Sequence, residues 1–319
     1  MKILKLTPAV KDYIWGGTRL SKEYDIVSFA DKQAEAWVLS CHDDGENIIT
    51  GGPFDGRTLK DVLETDGKKY LGTNCEKFDF FPILIKLIDA KDDLSVQVHP
   101  SDEYALKYEN QYGKTEAWYI IDCDEGAELI YGLSHDMTKE ELKESIEKGT
   151  LLDNVNRVKV KKGDMFFIPS GTIHAICKGI LLAEVQQNSN VTNRVYDYGR
   201  LQNGKPRELH VEKAVDVINL KAVPASGTPM GKPEKKDGYT KALLTKCDLF
   251  TVSKLEIEEK CVVEADETSF VSLVALDGNG VISCGDSCIT LYKGESVFIP
   301  AGFGKAEILG AVTVLETRV

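Results

Sequence analysis

The chain lacks any stretch approaching the roughly 18 apolar residues that a bilayer crossing requires. Near its start, Pro8, Lys11 and Asp12 interrupt any apolar run, so no secretory leader is read there. Histidine is scarce: five occur in 319 residues, and none follows His210. Positive charge is in deficit, with 39 Lys and Arg against 51 Asp and Glu and a net charge of −12. That balance argues against nucleic acid as a partner, because a basic face is needed to displace counterions. A small anion stays compatible, since a few local cations override the global field. The eight cysteines are scattered and form no Cys-x-x-Cys pair. Only Cys284 and Cys288 lie close together, and they read as a hairpin with two buried thiols rather than a redox or zinc site. Reduced thiols, a cytoplasmic location and no membrane partner are the expectation.

What the sequence does have is short strands. Ala36–Ser40, Leu94–His99, Ala117–Ile121, Met165–Ile168 and Leu181–Val185 are rich in β-branched or aromatic residues and bounded by Gly, Asp and Asn. Strands so short and closely spaced predict a mainly β chain built as a sandwich or barrel. Four short helices interrupt them. Thr138 and Glu141 form a capping box ahead of Leu142 and Ile146, with Gly149 as the stop. Ser101 is placed to cap a helix over 102–110, and further helices are predicted over 58–64 and 208–217.

A segment repeats. Gly163 to His174 aligns with Gly294 to Lys305 at an offset of 131, matching Gly, Phe, Ile, Pro and Gly in order. Each copy reads as a turn, a short buried strand and a Pro-x-Gly turn that stops it. Two copies imply two similar β-barrel units. Between them, residues 223–238 hold three prolines and three glycines and read as a linker or long loop. The linear division is therefore 1–222, 223–238 and 239–319. Lys305 replaces His174 in the second copy, so the second unit is expected to bind no metal.

Polar residues in the first unit point to a metal. A strand period of two puts Ser95, Gln97 and His99 on one side and Val96 and Val98 on the other. Glu116 opens an apolar strand, where a carboxylate has to be exposed, paired or ligating. His174 ends the Pro-x-Gly turn. Two imidazoles, a carboxylate and an amide oxygen suit Zn²⁺, and Mn²⁺, Fe²⁺ or Co²⁺ are also accommodated. On spacing alone the alternative stands that these are structural histidines beside a solvent-facing polar row.

Four ordered blocks then carry a resemblance. They are Gln97 to Pro100, Lys114 to Trp118, Ile168 to His174 and Asn193 to Tyr198, with Tyr13 to Gly17 near the start. Together they resemble the signature blocks of type I mannose-6-phosphate isomerase in its short bacterial form, within the cupin superfamily. The resemblance implies two cupin (jelly-roll-like) β-barrels with a few helices in the N-terminal half. It also implies zinc-dependent interconversion of mannose 6-phosphate and fructose 6-phosphate, with one ion per chain. Carried over by position, Gln97, His99, Glu116 and His174 match the zinc ligands, Arg194 an active-site arginine and Lys114 a lysine of proton transfer. Asn190 departs from the pattern, standing where many members carry aspartate.

Several assignments have rivals. Lys114 could neutralise Glu116 or bind phosphate, and Arg194 could pair with Asp197. Trp15 is either core or a sugar platform. Lys86, inside the apolar run 83–88, needs either substrate phosphate or a structural carboxylate. His42, His135 and His210 are read as surface or supporting residues. The expected partner is a small sugar phosphate, and the chain is read as a monomer or homodimer. The rival functions are a non-catalytic sugar-phosphate-binding cupin or regulator, and a different metal-dependent cupin enzyme such as an oxygenase.

Overall fold

The computed structural model describes residues 2–224, 226–284 and 287–319. Strands dominate, as expected, and the contacts divide the chain into two units. One comprises 1–11, 18–87 and 229–319; the other comprises 12–17 and 88–228. The boundary at 228/229 falls inside the Pro/Gly-rich segment. Most of the first 87 residues, however, belong with the C-terminal strands.

Backbone pairing accounts for that grouping. Strand Leu4–Thr7 pairs with Ser296–Ile299 on one side and with Ile48–Thr50 on the other, within one ten-stranded sheet. The core of this unit is apolar and fully buried, including Leu255, Val271, Leu273, Val297, Ile308 and Val314. Glu234–Lys236, at the end of the segment read as a linker, forms a short strand paired with Tyr239–Lys246.

The other unit carries two sheets. In the first, Val155–Lys159, Glu128–Leu133, His174–Ile176, Val96–Val98 and Asn193–Tyr196 lie side by side. In the second, Glu116–Cys123 is flanked by Met165–Ile168 and Ile180–Gln187. The period-two reading of 95–99 holds. Val96 and Val98 are buried in a cluster with Leu142 of helix Lys139–Glu147 and with Ala214 and Val215 of helix Val211–Val217. Gln97 and His99 are thereby left on the opposite face.

The repeat is real at the level of backbone geometry. Gly163 and Gly294 have φ of 91° and 89°, a left-handed conformation that favours glycine. Strands Met165–Ile168 and Ser296–Ile299 follow them. Each Pro-x-Gly turn then closes with the same 3.1 Å bond, Thr172 N–H to Pro169 O and Phe303 N–H to Pro300 O. His174 is buried, whereas Lys305 is exposed.

Helices form over Leu59–Asp66, Asp102–Tyr108, Lys139–Glu147 and Val211–Val217. Thr138 and Glu141 make the complete capping box. Ser101 corrects an expectation: its side chain makes no cap bond. The nearby Asp102 carboxylate is turned instead to accept from Gly113 N–H at 2.7 Å. A second correction concerns Cys288, which is exposed rather than buried. Its strand, Ser287–Tyr292, pairs with Val271–Cys284, and Cys288, Thr290 and Tyr292 alternate toward solvent. The side chain of Cys284 lies outside the described residues. The described thiols are free, and Cys41, Cys75, Cys177 and Cys261 are buried. No helix among the described residues is long and apolar enough to cross a membrane.

Candidate metal centre and active site

Two strands of one sheet and one strand of the other bring the donors together. His174 is the direct cross-strand partner of Gln97, and Arg194 is the partner of Gln97 on its other side. His99 follows the same strand. From the second sheet comes Glu116, the first residue of its strand. The ligand atoms of His99, Glu116 and His174 lie within 4.8 Å of one another, and all three residues are buried. His174 Nε2 is 3.2 Å from Glu116 Oε1, and His99 Nε2 is 3.7 Å from Glu116 Oε2. Gln97 Nε2 stands 3.5 Å from both imidazole Nε2 atoms.

Backbone carbonyls set the tautomers. His99 Nδ1–H donates to Val191 O at 2.7 Å, and His174 Nδ1–H donates to Thr172 O at 2.8 Å. A carbonyl only accepts, so each ring carries its proton on Nδ1 and directs the Nε2 lone pair at the other donors. Burial, reinforced by the Lys114 charge, pushes the His174 imidazole down to about 4, so it is neutral near pH 7. The neutral His174 imidazole, the His99 imidazole and a buried carboxylate face one another and form a centre that fits a divalent cation. Gln97 would contribute its amide oxygen after a half-turn about χ3, which exchanges oxygen and nitrogen with little change of shape.

Lys114 is the cation in this centre. Its Nζ is 2.7 Å from Glu116 Oε2 and 3.0 Å from His99 Nε2, and the side chain is buried. A second carboxylate, Glu184, lies 3.7 Å from the same Nζ and accepts from Trp118 Nε1–H at 2.8 Å. Sequence reasoning passed over Glu184. The signal was available: one glutamate within the apolar strand Ile180–Gln187 poses the same question as Glu116 does in its strand.

Arg194 reaches the centre through a hydroxyl. Its Nε donates to Ser95 Oγ at 3.2 Å, and Ser95 Oγ donates to Gln97 Oε1 at 3.4 Å. Its Nη1 donates to Glu208 O at 2.9 Å. Asp197 is bound by Arg200 and Arg207, which takes up the carboxylate considered as a partner for Arg194. Burial and the nearby Arg207 charge make the Arg194 guanidinium less basic than usual. His210, read from sequence as a supporting residue, accepts from Arg194 N–H through Nδ1 at 3.2 Å.

The remaining candidates have their own settings. Lys86 is buried with Nζ 3.4 Å from Glu35 Oε2 and 5.2 Å from the Trp37 ring, which supplies the structural carboxylate. Trp15 is buried, with its ring 5.7 Å from Tyr13. Asn190 is half-buried, and its backbone N–H donates to Gln111 Oε1 at 3.0 Å. A separate cleft of about 340 Å³ is lined by residues including Tyr104, Tyr108, Ser170 and Asp216 and contains none of the four ligand candidates. The donor geometry, not that cleft, marks the candidate site.

Known proteins resemble this chain over nearly its whole length. Residues 3–136 match the catalytic domain of type I phosphomannose isomerase, and residues 240–319 match the cupin domain of mannose-6-phosphate isomerase. A mannose-6-phosphate isomerase of Bacillus subtilis is 39% identical, covering 95% of this chain and 94% of its own. One from Streptococcus mutans is 41% identical, covering 90% of this chain and 89% of its own. The crystal structure of the mannose 6-phosphate isomerase from Bacillus subtilis superposes with a TM-score of 0.93 at 37% identity, each chain covered completely (100%). With a shared fold, near full-length identity of this order and both domains matched, the chain belongs to the type I phosphomannose isomerase family.

Proposed function

We propose that this chain interconverts mannose 6-phosphate and fructose 6-phosphate, using a zinc ion held by Gln97, His99, Glu116 and His174. The observation that carries the reading is the convergence of two carbonyl-locked imidazoles on Glu116, with Lys114 in contact with both kinds of ligand. Family membership supports the choice of substrate, and the donor set supports a divalent metal.

Aldose–ketose isomerisation moves a proton between C2 and C1 through an enediolate. When bound, the ion supplies a Lewis acid for the negative charge that develops on the substrate oxygens. Lys114 and Glu184 form the proton-handling pair. With Glu116 committed as a ligand, Glu184 is the carboxylate left to hold the Lys114 side chain in place. Trp118 fixes Glu184 by its indole N–H. Arg194 contributes a guanidinium with a fixed orientation, set by Ser95 and Glu208 O, to the same developing charge. The buried setting of Lys114, Glu116 and Glu184 excludes water and strengthens each interaction among them. Asn190 offers no carboxylate, so its contribution is limited to orienting a hydroxyl.

The reading is tested by His174→Ala. Bound metal should drop from one per chain to a small fraction, and isomerase activity should go with it. Retention of metal at full stoichiometry would break the ligand assignment.

A further inference from the structure

We infer that Gln186 is a substrate-recognition residue whose side-chain oxygen accepts a hydrogen bond from a hydroxyl at C3 or C4 of the sugar phosphate. This rests on the function proposed above. Gln186 is the direct antiparallel partner of Glu116. Directly opposed residues share a face with Cβ atoms about 5 Å apart. Two positions on, Glu184 opposes Trp118, and their 2.8 Å hydrogen bond confirms that this face is common to both strands. Glu116, Trp118, Glu184 and Gln186 therefore form one patch, and Lys114 contacts two of its members.

The Gln186 amide is locked. Its Nε2 donates to Gln187 O and to Ser189 O, both at 2.7 Å. Turning the amide over would set its oxygen against two carbonyl oxygens, so the oxygen end is determined without ambiguity. Gln186 is fully buried, and its Oε1 has no donor within hydrogen-bonding distance among the described residues. Buried acceptors without donors are rare and costly, and the two carbonyls account for the Nε2 end of this amide while leaving its oxygen end without a role. An acceptor held rigidly beside a ligand-binding carboxylate fits a donor that arrives with the substrate. Of the sugar's groups, the oxygens on C1 and C2 face the reacting centre, and the phosphate calls for cations. In the ring form of mannose 6-phosphate, where O5 carries no hydrogen, the hydroxyls at C3 and C4 are the donors left for a neutral amide oxygen.

The test compares mannose 6-phosphate with its 3-deoxy and 4-deoxy analogues on the metal-loaded wild-type protein and on Gln186→Met. In the wild type, one analogue should lose about five- to tenfold in kcat/KM, the size of a single neutral hydrogen bond. Gln186→Met should lose a similar factor on the parent sugar and nothing further on that same analogue, with metal content unchanged. Methionine leaves the carbonyls of Gln187 and Ser189 without their donor, so the variant could fold poorly; the wild-type comparison then decides alone. The inference is overturned if both analogues match the parent in the wild type. It is overturned equally if Gln186→Met lowers metal content, which would place the oxygen against a metal-bound water, or if it penalises all three sugars alike. Failure of the functional reading shows separately, as a wild-type protein that neither turns over mannose 6-phosphate nor binds fructose 6-phosphate, and it takes this inference with it.

Discussion

Acidifying the metal-free protein should expose the electrostatic cost of burying His174. In an unfolded chain this imidazole titrates near 6.5, whereas in the folded protein burial first, and the Lys114 charge second, push it down to about 4. The folded state therefore binds fewer protons than the unfolded state between these values. Stability is full above about 6.5 and is lost as pH falls toward about 4. The difference of the two values, 6.5 − 4, is about 2.5. At about 1.4 kcal/mol per unit, the loss from this group is on the order of 3 kcal/mol. Carboxylates add their own acid dependence, so the quantity to measure is a difference. Urea melts of wild type and His174→Ala, both held in chelator, would be run from pH 7 to pH 4. At pH 7 the variant should be less stable by about 2–3 kcal/mol, from its cavity and the unsatisfied Thr172 carbonyl. That gap should close as pH falls, because alanine has no proton to take up. A gap that stays constant across the range would refute the claim that His174 is held neutral by its setting.

Two other perturbations separate the roles of neighbouring residues. Ser95→Ala removes the hydroxyl between Arg194 and the Gln97 amide. Metal affinity should drop about tenfold, read by competition with a chromogenic chelator, because groups that orient a ligand are worth roughly 10–100-fold in affinity; an unchanged affinity would show that Gln97 needs no such support. Lys114→Met should lower kcat by about 10²-fold or more while metal content stays near one per chain. Normal turnover in that variant would remove Lys114 from proton transfer.

Local signals in the sequence carried much of this account, and tertiary register supplied the rest. The alternation of Ser95, Gln97 and His99 with Val96 and Val98 was readable because a strand has a period of two, and the apolar face did bury against helices. The repeat was readable because glycine in a left-handed turn and proline at a strand end leave a composition that survives divergence. Glu184 was passed over because a lone glutamate in a strand that is buried along its whole length signals the need for a partner without saying which one. Its purpose becomes visible only when the register sets it against Trp118. Lys86 illustrates the same limit. The sequence says that a buried ammonium needs a partner, but choosing Glu35 over a phosphate requires knowing which strand lies beside it. The pairing of Leu4–Thr7 with Ser296–Ile299 joins the two ends of the chain, and no local pattern announces it.

The proposed metal-dependent isomerase centres on His99, Glu116 and His174. The most direct measurement is fructose 6-phosphate formation from mannose 6-phosphate by the purified protein, before chelation, after chelation and after zinc is added back. Turnover, its loss in chelator and its return with zinc are the expected results. Undiminished turnover in the fully chelated protein, or none under any of the three conditions, would contradict the proposal.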